Sequence, residues 1–193
     1  MNIFYLDHDV RKCAEMHNDK HVVKMILEYA QLLSTAHRIL DGAVSFGVSQ
    51  SGRKKVIYVL ADNRDTILYS ATHINHPSAV WVRQSAQNYM WLAELLEECC
   101  REYTHRYEKV HKVERDGLMQ ALKNQFPTNI PDAPFTQPTP AMPEDVKVLR
   151  EIHTDRYEID SLASYRNYYI RNKTHLANWK KRPVPDWYND NTA

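Results

Sequence analysis

The sequence predicts an all-α fold, a single-domain helical bundle with at most one small β-hairpin. Glycine is scarce, at four of 193 residues. Apolar residues recur at three- and four-residue spacings rather than in strict alternation. Three segments, near residues 19–41, 78–103 and 161–181, combine that spacing with helix start and stop signals. With 43% hydrophobic and 25% charged residues, a chain of this length can bury one core without disulfides or metals.

Taken in order, Asn2 to Leu6 reads as a short strand or extended lead-in, and Asp9 can N-cap a short helix running towards His17. Asp19 caps or enters a long helix that Gly42 ends. Val22, Ile26, Tyr29, Ala30, Leu33, Ala36, His37 and Leu40 fall on its core side. Residues 42–55 lack periodicity and read as a loop. Lys55 to Leu60 and Thr66 to Ser70 flank a turn-rich stretch, which predicts a small hairpin, with a broken helix as the competing reading. Asn75-His76-Pro77 looks like a helix start, because proline at the first helical position forfeits no hydrogen bond. From Ser78 to about Tyr103, Val80, Ala86, Tyr89, Met90, Ala93, Leu96 and Cys100 keep core spacing. A short helix is expected around Arg115 to Lys123. Phe126 to Pro143 holds too many prolines for regular structure and reads as a strap across the surface. Asp160-Ser161 opens a last helix to about Lys181, stopped by Pro183 and Pro185, and residues 183–193 form a tail.

Composition narrows the function classes. No run approaches the roughly 20 apolar residues of a membrane helix, and the start has no secretory pattern, so no membrane partner is expected. Cys13, Cys99 and Cys100 form neither a disulfide framework nor a zinc spacing, so a reducing cytoplasm is the expected location. Phosphate-binding loops, dinucleotide fingerprints and nucleophile elbows have no counterpart, so no cofactor is expected. His17 and His21 stand at i and i+4, but nothing completes a metal site, and none is expected. A net charge of +1 means that any nucleic-acid binding must come from a local patch.

Three places could carry chemistry. His17, His21, Lys24, Glu28, Gln31 and Thr35 share an arc of about 80° on the long helix, with Lys20 beside them. A solvated face with Lys24–Glu28 pairing is one reading. Proton transfer or Schiff-base chemistry is the other, because histidine and lysine serve it best near neutral pH. The second place is Asn75-His76-Pro77, with Trp81 and Arg83 one turn on, where a helix N-terminus either meets a phosphate or is simply capped. The third is the C-terminal stretch. Arg166, Arg171, Lys173, Lys180, Lys181 and Arg182 alternate there with Tyr165, Tyr168, Tyr169, Trp179 and Trp187, with no acidic residue from Ser161 to Pro185. Cations on phosphates and aromatic faces on bases would hold a strand, whereas the plainer reading is a basic surface over an aromatic core.

The segments Asp19-Lys20-His21-Val22-Val23-Lys24-Met25-Ile26-Leu27-Glu28, Asn75-His76-Pro77 with Trp81, and Lys181-Arg182-Pro183-Val184-Pro185-Asp186-Trp187-Tyr188 together resemble the pyrimidine dimer DNA glycosylase family, whose members include phage endonuclease V. The chain also looks like a group of phage proteins, which would place it in the host cytoplasm. The resemblance implies an all-helical enzyme that flips a nucleotide and attacks C1′ of its sugar with a primary amine. A Schiff base forms, β-elimination follows, and a glutamate on the first long helix assists. In the phage enzyme the amine belongs to an N-terminal threonine. This sequence departs from that pattern. Asn2 is too large for ordinary Met removal, His21 aligns with the catalytic glutamate, and Glu28 sits further along the same stripe.

The expectation is therefore a DNA base-processing enzyme, acting as a monomer on a flipped pyrimidine in a duplex or on a single strand. Lys20 or Lys24 would be the nucleophile, with His17, His21 and Glu28 around it. Asn75, His76, Arg83, Arg166, Tyr168, Tyr169, Lys180, Lys181, Arg182 and Trp187 would contact the nucleic acid. A base-modifying transferase in the same pocket and a non-catalytic nucleic-acid-binding or host-interaction protein are the alternatives.

Overall fold

A computed structural model describes residues 1–48 and 51–190, so the last three residues of the expected tail lie outside it. Helices carry most of the chain, but the all-α expectation is corrected by two separate antiparallel β-hairpins. In chain order the elements are α1 (Val10–Met16), α2 (Asp19–Asp41), β1 (Ala43–Val48), β2 (Lys54–Val59), α3 (Arg64–Ile67), α4 (Pro77–Arg83), α5 (Ala86–Tyr107), α6 (Lys112–Arg115), α7 (Leu118–Asn124), β3 (Val148–His153), β4 (Arg156–Asp160), α8 (Ser161–Asn172) and α9 (Asp186–Asn189). Among the described residues, no helix is long and apolar enough to cross a membrane.

The helix starts follow their capping chemistry. Asp9 accepts from the Lys12 amide and opens α1, and Asp160 accepts from the Ala163 amide and opens α8. On α2 the cap is Asn18 rather than Asp19, because the Asn18 side chain takes the His21 amide. The expected core side of α2 is buried from Val22 to His37, with Leu40 at its frayed edge. α2 packs on α5, α4 and α7, while α1 lies on α5. Between them runs the extended segment Ile3–Leu6, all four residues of which are buried.

Two long helices are shorter than their periodicity suggested. The 78–103 helix breaks at Ser85, whose backbone is extended (φ −153°) and whose Oγ accepts from the amides of Gln87 and Asn88 to start α5. The same hydroxyl donates to the Ala133 carbonyl at 2.5 Å, so the break is where the proline-rich strap is fastened. The 161–181 helix stops at Asn172. A single 3₁₀ turn, Thr174–Leu176, then redirects the chain, and the Asn178 carbonyl accepts from the Asp19 amide at 2.8 Å. The helix expected around 115–123 is two short ones, parted at Gly117, whose φ of +81° suits glycine. Residues 125–143 contain no helix or strand, as their proline content requires.

The first hairpin is displaced from its expected place. Residues 42–55, expected as loop, contribute β1 and the start of β2. Thr66 to Ser70 is no strand, because Asp65 instead accepts from the Leu60 amide and pairs with Arg38 at 2.7 Å, closing a tight corner. Val44, Phe46 and Val48 do alternate with Ser45 and Gly47, but they face solvent, so alternation here marks no core. The second hairpin, β3 with β4, turns at Asp155 in a left-handed conformation (φ +61°), and Leu149 pairs with Ile159 across it.

The body is tied together by a buried ionic hub. Arg106, fully buried on α5, donates Nε to Glu102 at 2.6 Å and Nη2 to the Glu15 carbonyl at 2.8 Å. Its Nη1 reaches both the His17 carbonyl and Asp19 Oδ1 at 2.9 Å. Arg182 from the tail closes on the other side of Glu102 at 2.8 Å. Burial alone would raise the Glu102 pKa, but the guanidiniums of Arg182 and Arg106 outweigh it and hold the carboxyl below its ordinary value. Removing one member of such a cluster strands the others without water. Arg106→Ala should therefore cost about 3–5 kcal/mol in urea unfolding. A loss below about 1 kcal/mol would show that the hub is not structural.

Candidate functional site

The stripe on α2 is not a solvated face. His17 is fully buried at the corner between α1 and α2, and His21 is 6% exposed. His17 Nδ1 donates to the Cys13 carbonyl at 2.6 Å, which leaves Nε2 to accept from the Tyr29 hydroxyl at 2.8 Å. Tyr29 in turn accepts from the Phe4 amide at 3.2 Å. His21 Nδ1 accepts from the Tyr169 hydroxyl at 2.5 Å and lies 3.3 Å from the Asn18 amide nitrogen, which places the His21 proton on Nε2. Its ring stacks on Phe4 with centroids 4.0 Å apart. Burial lowers the His17 pKa to about 4 and the His21 pKa to about 2, so both rings are neutral near pH 7. Their acceptor lone pairs are occupied, so His21, expected as an acid or base, and His17, expected in the pocket, instead pin the amino-terminal segment and α8 to α2.

The chemistry-bearing end of the stripe lies further along. Glu28, with a side chain 14% exposed, pairs with Lys24 at 3.1 Å and lies 3.9 Å from the Met1 α-amino group. The loop before α4 packs here. Thr35 Oγ1 donates to the Thr72 carbonyl and accepts from the Thr72 amide. His76 lies within electrostatic reach of this cluster. Its pKa is lowered first by burial, then by the Met1 amine and His73, with Glu28 pulling the other way. The Asn-His-Pro segment thus lies within electrostatic reach of the Glu28 end of the stripe.

α4 itself offers no anion site. It is seven residues long, and His76, not Asn75, is its cap, with Nδ1 accepting from the Ser78 amide at 3.2 Å. Asn75 is exposed beside it. Arg83 is turned inward and donates to the carbonyls of Ile74 and Ala79, which braces the His73–His76 loop.

The C-terminal cations divide into two groups. Arg166 donates to the Leu6 carbonyl at 2.9 Å and stands over the Trp187 ring, Arg182 belongs to the Glu102 hub, and Lys181 pairs with Glu108 at 2.6 Å. Tyr169 is buried on His21. These residues hold the tail down. Lys180 and Lys173 differ. Their ammonium groups lie over the rings of Tyr107 (5.3 Å) and Tyr168 (4.7 Å) on the surface that carries Lys20 and Lys24. Asp19, Lys20, Val23, Lys24, Tyr107 and Asn178 line an open groove of about 560 Å³ there. Lys20 borders this groove and forms no ion pair with Glu28.

Phe4 and His73 are not singled out by the sequence, and Tyr29 is marked there only as a core residue. The unbroken apolar run Ile3–Leu6 was the available signal that this segment is interior. Among the described residues, no group of three or more histidine, cysteine, aspartate or glutamate side chains gathers as a metal site. Comparison with protein-family models, with curated proteins and with solved structures finds no match for this chain.

The buried histidines set a pH dependence of stability. Unfolded imidazoles protonate below about 6.5, while His17 resists until about 4 and His21 until about 2. Stability should be intact above pH 6.5. It should fall as the pH drops towards 4, by up to about 1.4 kcal/mol per pH unit for each histidine. Urea midpoints between pH 7.5 and 4.5 would measure it, and His17→Gln should flatten the profile. A wild-type midpoint constant across that range would refute the neutral, buried assignment.

Proposed function

We propose that this protein is a DNA base-processing enzyme that acts on a damaged or modified pyrimidine swung out of the helix, through amine chemistry at Glu28. The observation that carries this reading is one half-enclosed carboxylate flanked by two primary amines, Lys24 Nζ at 3.1 Å and the Met1 α-amino group at 3.9 Å, with His76 within electrostatic reach. The resemblance to pyrimidine dimer DNA glycosylases supplies the reaction.

In that reaction an unprotonated amine attacks C1′ of the sugar. The bond from C1′ to the base breaks, the base nitrogen takes the electron pair, and a proton from Glu28 or His76 completes the leaving base. The nitrogen lone pair then forms C1′=N as the C1′–O4′ bond breaks, and O4′ takes that electron pair and a proton from His76 or solvent, opening the ring to a Schiff base. Removal of a C2′ proton by the Glu28 carboxylate then expels the 3′ phosphate and cleaves the strand. Glu28 serves both steps because it can take a proton from the attacking ammonium and pass it on. Lys20, Lys24 and Lys180 would neutralise phosphates along the groove, and the Tyr107 face would lie beside the strand. His17 and His21 position the site and do not enter the reaction.

Borohydride trapping on ultraviolet-irradiated, abasic and undamaged duplex DNA tests this. A covalent adduct confined to altered DNA is expected, reduced on the order of a hundredfold or more by Glu28→Gln. Peptide mapping of the adduct assigns the amine. Attachment at Lys24 that is lost in Lys24→Ala, or attachment within the first peptide, each fits the Glu28 site. Attachment at Lys20 or elsewhere overturns the assignment. Retained DNA binding with no adduct on any substrate overturns the lyase chemistry.

A further inference from the structure

We propose that the β1–β2 hairpin is a duplex-nucleic-acid contact in which Phe46 wedges between base pairs while the basic end of the hairpin holds the backbone. This deepens the proposed function and rests on it.

Cross-strand register puts Val44 opposite Tyr58, Phe46 opposite Val56 and Val48 opposite Lys54, so these six share one face. Phe46 is 75% exposed, and Val44, Val48 and Val56 are each more than half exposed. The opposite face is different. Gly47 leaves room for Ile57, whose side chain would stand 3.3 Å from a Cβ placed there, so the strands close on that side and the aromatic is presented on the other. An apolar strand face displayed to water calls for an occupant.

Charge selects which one. Between Gly42 and Leu60 the chain carries Arg53, Lys54 and Lys55, all exposed, and no acidic residue. The second hairpin also displays apolar side chains, with Leu149 62% and Tyr157 58% exposed. Yet from Val148 to Asp160 it sets Glu151, Asp155, Glu158 and Asp160 against Arg150 and Arg156. A polyanion would be repelled there and attracted by the first hairpin. Inserting an apolar wedge at a base step, with cations on the flanking phosphates, is how proteins unstack and bend a duplex.

The hairpin is also braced to the loop that leads to α4. Arg38 donates to the carbonyls of Tyr58 and Tyr69, fastening β2 to the chain just before Thr72. Tyr58 lies within electrostatic reach of Arg83, the residue that holds the Ile74 carbonyl in the loop leading to His76.

The test uses the full chain and a short duplex carrying 2-aminopurine beside an abasic analogue. Anisotropy over a salt series reports binding, and 2-aminopurine emission reports unstacking. Wild type is expected to bind and to raise the emission. Phe46→Ala is expected to lose the rise while weakening binding less than about tenfold, and Lys54→Gln with Lys55→Gln to reduce the slope of log K against log salt by roughly two. Tyr157→Ala should change neither, and unchanged thermal unfolding confirms that these exposed positions do not affect folding. If wild type binds and unstacks but Phe46→Ala and the lysine double variant behave like it, the wedge is refuted while the base-processing function stands. If wild type binds no duplex, both fall. Wild-type self-association in sedimentation that Phe46→Ser abolishes would assign the face to a second copy of the chain and refute the wedge.

Discussion

Everything that places the candidate site depends on one buried guanidinium. Arg106 takes the carbonyls of Glu15 and His17 and the carboxylate of Asp19, so it seals the end of α1, the corner and the start of α2 in a single fork. These carbonyls lie at a helix C-terminus, where backbone oxygens lack intrahelical partners and a cation is favoured by the dipole. Asp19 then has a second task, accepting from the Lys180 amide at 2.9 Å, while Glu102 receives Arg182. The corner between the first two helices and the C-terminal tail are therefore fixed by the same charges. A hydrophobic contact could not do this, because only a planar five-donor fork can satisfy acceptors from three directions at once.

With the corner fixed, the stripe along α2 divides by depth. Its first turns face inward, where His17 and His21 satisfy tyrosine hydroxyls and the stack on Phe4, and its middle emerges at Glu28. The two histidines carry the hydrogen bonds that a buried amino-terminal segment and a distant helix, α8, need in order to dock on α2. That docking brings the start of the chain to Glu28. The neutrality of the rings follows from the same burial, since a charged imidazole there would have no counterion close enough to offset its desolvation.

How much of this the sequence could show depends on whether the deciding contact was local. The caps at Asp9 and Asp160, the α2 face from Val22 to His37 and the proline strap were legible because each is set within a few residues. The breaks at Ser85 and Asn172 were not, because both are made by partners far along the chain, the Ala133 carbonyl in one case and Asp19 in the other. The hairpins were hidden for another reason. Pattern reading assumes that apolar residues face a core, and Val44, Phe46, Leu149 and Tyr157 do not. At the site, Glu28, Lys24 and His76 were legible as residues, and that His76 comes within electrostatic reach of Glu28 was not. The depth of His17 and His21 is hidden from a helical wheel, which gives an angle only: both are buried while Lys20, Val23 and Lys24 beside them are exposed.

The C-terminal stretch shows the same limit in charge. Its uniform positive sign suggests a binding surface, yet Arg166, Lys181 and Arg182 are turned onto Leu6, Glu108 and Glu102. A cation already paired inside the fold releases no counterions when a phosphate approaches, so it adds little to nucleic-acid affinity. Among the described residues, Lys20 and Lys180 beside the groove and Lys54 and Lys55 on the hairpin form no such ion pair, and these are the cations the proposed interface would use.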